Sequence, residues 1–162
     1  MSNDFSNTEI SYDPTHNNLV DSLVITKGGD TFKTIYQLMI FAAMIARKKG
    51  IRRPLKSKTE GVLFKIFESN NMSAHIFLIA LAEGNPLDIS ALKSDKVIDA
   101  FKIFEEYCNQ GLHVIQAWID ARPTVSNQET IMKEIYDQLH KNIKENGTEQ
   151  ESASQSLFEN DI

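Results

Sequence analysis

The sequence predicts a mainly α fold, a compact orthogonal helical bundle around a buried central helix, with a short two-stranded β element left open beside it. Three observations lead there. Apolar residues recur at helical spacing in successive stretches between residues 31 and 144. One of these, "LMIFAAMIA" at Leu38–Ala46, is greasy on nearly every face, as a helix enclosed by others is. The 162 residues, 41% hydrophobic and 24% charged, suit a single globular domain.

Residues 1–17 are rich in Ser, Asn, Asp and Thr and are expected to be a disordered tail. The same holds for the acidic segment 146–162, leaving one helical domain over 18–145. Leu19–Ile25 fits a short strand or a short helix equally well. The glycine pair in "KGGD" then turns the chain. A helix follows over Thr31–Lys49, capped by Asp30 or Thr31 and ended by Gly50, whose lack of a side chain permits the left-handed conformation of a helix exit. "EGVLFKIFES" at residues 60–69 leaves strand and helix open, so a strand pair between 19–25 and 62–67 is allowed.

"SAHIFLIALAEG" at Ser73–Gly84 reads as a buried helix with a serine cap, and "NPLDISALKSD" as a loop. From Ser94 a longer helix carries Val97, Ile98, Phe101, Phe104 and Cys108 at helical spacing. Gly111 is expected to break or bend it before Leu112, Ile115 and Ile119 resume the pattern. A last helix over Asn127–Lys144 presents Ile131, Ile135, Leu139 and Ile143 as a narrow inward face.

Charge is unevenly placed. The formal total is −5, yet residues 1–81 hold 10 bases and 7 acids, and residues 82–162 hold 7 bases and 15 acids. The lone Cys108 rules out an internal disulfide, and the polar start lacks the basic and apolar regions of a signal peptide, so the chain reads as cytoplasmic. The nine-residue apolar run at 38–46 is too short for a membrane span of about 20 residues.

No motif carries catalysis or a cofactor. His16, His75, His113 and His140 stand apart without ligand spacing, and His75 and Cys108 fall among apolar neighbours as core residues do. "KGGD" lacks the spacing of a phosphate loop and "DISALKSDK" that of a nuclease site. The C-terminal "SLFENDI" sets Leu157, Phe158 and Ile162 among acids. It reads as solvated tail, with docking into a partner's groove as the alternative.

One stretch stands apart in its charge. "ARKKGIRRPLKSK" places seven bases, Arg47, Lys48, Lys49, Arg52, Arg53, Lys56 and Lys58, around a glycine and a proline in an acidic protein. Bases in a helix's last turn complement its dipole, which accounts for the first three only. The functional reading is a nucleic-acid-binding loop that touches the DNA backbone with weak sequence preference, since no aromatic residue is interleaved for stacking. The competing reading is a loop neutralised by the acidic second half of the chain or by an acidic partner.

The order "KGGDTFKTIYQLMIFAAMIARKKGIRRPL", "IFES", "IFLIALAEGNPLDI" and "KVIDAFKIFEEYCNQGLHVIQAWI" resembles the bacterial DNA phosphorothioation (Dnd) system-associated protein 4 family over about residues 23–120. The resemblance implies a non-enzymatic accessory component of a DNA-modification and restriction system used in anti-phage defence. Its partners would be DNA and the protein subunits of a defence complex. The alternative function is a protein–protein adaptor with no nucleic-acid contact.

Overall fold

The fold is that of a computed structural model and is described over residues 4–84 and 89–158, with backbone alone at 91, 92 and 144–158. It is mainly helical, with one two-stranded antiparallel sheet among the described residues. In chain order come β1 (Glu9–Ile10), a 3-10 turn (Pro14–His16), α1 (Asn17–Leu23), a 3-10 turn (Ile25–Lys27), α2 (Ile35–Lys49) and β2 (Val62–Leu63). After these follow α3 (Phe64–Ser69), α4 (Ser73–Leu81), two 3-10 turns (Ile89–Leu92, Ser94–Lys96), α5 (Val97–Asp120) and α6 (Asn127–Phe158).

Residues 4–17 of the segment expected to be a disordered N-terminal tail are instead built into the fold. Ile10 and Tyr12 are buried, and β1 pairs with β2 in the register Glu9–Leu63 and Ile10–Val62. The strand at 62–63 is therefore real, but its partner is residues 9–10; of Leu19–Ile25, residues 19–23 are α-helical, Val24 is extended and bridges Phe32, and Ile25 opens a 3-10 turn. Few but well-placed apolar side chains make the difference: Phe5 packs edge-on to Phe101, and Ile10 and Tyr12 enter the core. At the other end, helical backbone continues past residue 145 to Phe158, and the remainder of "SLFENDI" lies outside the described residues.

α2 is buried over Leu38, Met39, Ile40, Ala42, Ala43 and Ala46. Its N-cap is Thr34, without a side-chain capping bond, in place of Asp30 or Thr31; the Asp30 carboxylate instead accepts the Thr31 hydroxyl. Ser73 likewise begins α4 without capping it, the N-cap being Met72. The helix against which α2, α4 and α6 all pack is α5, whose Phe101, Phe104, Tyr107, Cys108, Leu112 and Ile115 are buried.

Gly111 does not break α5, which is continuous from Val97 to Asp120. It lets α2 approach. A Cβ at this position would stand 1.9 Å from the Ala42 carbonyl oxygen, so the small residues of α2 meet bare backbone on α5. Nearer the start of α5 Phe64 lies 4.7 Å from Phe101, and Phe67 meets Phe104 edge-on at 6.1 Å.

α6 departs from its expected face. Ile131 is buried and Ile135 partly so, but Leu139 and Ile143, expected inward, are 56% and 67% exposed, with Met132 and Tyr136 beside them at 63% and 60%. The face that α6 turns inward is instead Ile131, Glu134, Ile135, Gln138 and Asn142, of which Ile131 is buried and the rest are partly so. No helix among the described residues is long and apolar enough to cross a membrane.

Candidate nucleic-acid interface

The basic loop begins where α2 stops. Gly50 adopts φ +67° and its N–H reaches the Ala46 and Arg47 carbonyls, turning the chain out of the helix. The segment that follows lies along α5, held by Glu105, Glu106, Asn109 and Gln110. These residues recur three to four positions apart and so share one face.

The main chain is tied first. The Arg53 N–H donates to the Glu106 carbonyl at 3.1 Å, and the buried Asn109 amide donates to the Arg53 and Pro54 carbonyls at 3.1 and 3.2 Å. Because that amide nitrogen faces carbonyls, the Asn109 oxygen faces His16. His16 therefore carries its proton on Nε2, 3.0 Å away. Asp13 secures the far end: its carboxylate accepts the Thr15 N–H and hydroxyl at 3.1 and 2.8 Å and the Lys56 N–H at 2.9 Å. Burial by itself would raise the Asp13 pKa, but these donors and the Ser57 N–H outweigh it and hold the group at about 2.

Three of the seven bases are consumed internally. Arg47 donates to the Ala82 carbonyl and stands over the Tyr107 ring. Arg52 bridges Glu83 at 3.1 Å and Glu106 at 3.5 Å, and its guanidinium also covers Tyr107. Tyr107 donates to Glu83 at 2.5 Å; burial foremost, then that hydrogen bond, pushes its pKa up. Lys58 pairs at 2.7 Å with Glu105, which is 3% exposed and whose other oxygen accepts the Ser11 N–H at 2.8 Å.

The other four are exposed and have no carboxylate partner among the described residues. They fall into two groups. Lys48 and Lys49 join Lys141, Gln138 and Asn142 of α6 around a cleft of about 330 Å³. Arg53 and Lys56 join Asp13, Thr15, Asn109 and His113 around a smaller one of about 210 Å³. Lys141 lies on α6, far along the chain from the basic loop, so spacing alone does not associate it with Lys48 and Lys49.

The four histidines are not all apart. His16 and His113 meet edge-to-face at 4.6 Å, while His75 is part-buried with Nδ1 3.2 Å from the Met72 carbonyl. Burial chiefly, and the cations nearby, keep His16 and His113 below the usual imidazole pKa. Cys108 is wholly buried, and burial pushes its thiol far above the ordinary range.

A family model described as DNA sulphur modification system-associated protein 4 matches residues 10–155. Comparison with curated proteins returns no match, and neither does comparison with solved structures.

Proposed function

The chain belongs to the DNA sulphur modification system-associated protein 4 family, and from that premise we propose that it is a non-enzymatic accessory component of a bacterial DNA-modification and restriction system in anti-phage defence, resting on the DNA backbone through exposed bases. The observation that carries the reading is the division of the loop: Arg52 and Lys58 are spent on internal carboxylates, whereas Lys48, Lys49, Arg53 and Lys56 face solvent and Lys141 adds to them. Cationic side chains held on a rigid scaffold displace condensed counterions from a duplex. Such contacts read charge more than sequence. Cys108 offers no nucleophile, being sealed in the core.

The test is retention of a short duplex, with and without phosphorothioate, over a salt series. Five displaced counterions give a slope of log affinity against log salt of about −4 to −5. Joint replacement of Lys48, Lys49 and Lys141 by Gln is expected to flatten that slope by about 3, while Arg52→Gln leaves it unchanged. Retention indifferent to both the lysine set and to Arg53→Gln with Lys56→Gln would refute the interface.

A second reading rests on α6. Met132, Tyr136, Leu139 and Ile143 recur three to four residues apart and are all exposed, forming an apolar stripe of the kind an adaptor uses to hold a protein subunit. A stoichiometric complex that survives high salt and is lost on Leu139→Glu would favour it, since apolar burial is not screened.

A further inference from the structure

The smaller cleft differs from a merely basic surface. Arg53 uses its Nε–H on Gln110 at 3.0 Å, but its terminal amino groups meet no acceptor among the described residues. The Lys56 ammonium and both ring nitrogens of the half-buried His113 are likewise without a hydrogen-bond partner there, although all three side chains line one cavity of about 210 Å³. The backbone behind them is fixed, Arg53 by Glu106 and Asn109, and Lys56 by Asp13. His113 is set by its edge contact with His16, which is itself held by Asn109.

We propose that this cavity binds a single phosphoryl-type oxyanion, with the Arg53 guanidinium, the Lys56 ammonium and the His113 imidazole as its donors. One carboxylate, Asp13, also lines the cavity, but its oxygens already accept the Thr15 N–H and hydroxyl and the Lys56 and Ser57 N–H groups. Its charge is thus solvated by the protein itself. A guanidinium offers two parallel N–H groups to one phosphoryl face, the ammonium a point charge, and the ring a directional donor. The deepening over the backbone reading is that one discrete anion is seated here, by residues other than the Lys48, Lys49 and Lys141 cluster; only the anion's source rests on that reading.

His113 faces His16, Asp13, Arg53 and Lys56. Empty, the site disfavours a protonated His113 through burial and the neighbouring cations; a bound anion reverses this. Affinity for an anion of constant charge should therefore rise as pH falls below neutrality, and the His113 pKa should rise on binding.

The experiment is histidine-observed NMR of the full chain titrated with inorganic phosphate and thiophosphate at fixed ionic strength, and with sulfate for the pH series. Saturation is expected at the His113 ring with a Kd on the order of 1 mM, weakened about tenfold by Arg53→Gln and unchanged by the Lys48, Lys49 and Lys141 replacements. No saturable change at His113, the same change with chloride, or an Arg53→Gln response equal to wild type would overturn the site. Short duplexes with and without a 5′-phosphate then separate the sources. Tighter binding of the phosphorylated duplex, abolished by Arg53→Gln, assigns a terminal monoester, and equal binding of both, weakened by Arg53→Gln, an internal diester. DNA retention without any phosphate response at His113 would sink the pocket and spare the backbone reading; phosphate at His113 without DNA retention would do the reverse.

Discussion

Replacing Gly111 by Ala tests the contact on which the bundle is built. The new methyl would stand 1.9 Å from the Ala42 carbonyl oxygen, 2.3 Å from its carbon and 2.7 Å from its Cα, all main chain and unable to rotate aside. Ordinary contact begins near 3.4 Å, so α2 and α5 would have to part locally by roughly 1.5 Å. A gap of about 0.5–1 Å already forfeits a quarter to a half of each dispersion contact, and overpacking of this kind costs about 1–3 kcal/mol, more where backbone must move. Against this, Ala is favoured over Gly inside a helix by about 1 kcal/mol. The net expectation is a loss of about 2 kcal/mol, or a Tm lower by about 4–8 °C at this chain length. Circular dichroism with thermal and urea unfolding measures it. Ala42→Gly added to Gly111→Ala should bring no rescue, because the obstacle is the Ala42 main chain. A Gly111→Ala protein as stable as wild type would refute the close crossing.

Lys58→Met should destabilise the fold by about 1–2 kcal/mol, since it leaves the buried Glu105 carboxylate with the Ser11 N–H alone, while DNA retention by the folded fraction stays as in wild type. Urea midpoints beside duplex binding separate the two effects. The Asp13 carboxylate, held at about 2 against 3.8 in the unfolded chain, contributes about 2 kcal/mol that is fully present above pH 4 and is lost as pH falls through about 2; an Asp13→Asn protein should be less stable at neutral pH and lack that acid-side dependence. Ile131→Ala should cost about 2–4 kcal/mol and Leu139→Ala within about 0.5 kcal/mol, measured by urea unfolding, because the first side chain is buried and the second is not.

The helices were legible because their signal is local. The apolar run of α2 and the spacing from Val97 to Ile115 are determined by which faces must leave water, and both helices lie near where those patterns place them. What the sequence hid is what depends on a partner far along the chain. Gly111 looked like a breaker because a glycine weakens a lone helix; only the presence of Ala42 across the interface turns it into a packing requirement. Residues 4–16 looked like a tail because polar residues dominate them, yet Ile10 finds β2, Tyr12 enters the core, and Asp13 has the loop backbone to bind. The outward turn of Leu139 and Ile143 was invisible for the converse reason: an apolar stripe records what a face is made of, whereas here α6 turns Gln138 and Asn142 toward Lys48 and Lys49 instead.

The basic loop shows how such distance alters a charge argument. Seven bases in a short stretch suggest one continuous field, but a buried carboxylate needs a counter-ion more than a solvated phosphate does, since its desolvation is already spent. Glu105, with 3% of its surface exposed, therefore claims Lys58, while Glu83 and Glu106 claim Arg52. The carboxylates that do this lie on α5 and just beyond α4, so the loop's charge is partitioned by the fold. Its side chains then serve two purposes. Arg52 and Lys58 bind the loop to the bundle, and Lys48, Lys49, Arg53 and Lys56 remain available to an external anion on a backbone that cannot sag away from it. Neutralising the first pair should alter stability and salt sensitivity of folding, and neutralising the second set should alter binding alone. A single alanine scan of the whole loop would merge the two and read a folding defect as a lost interface.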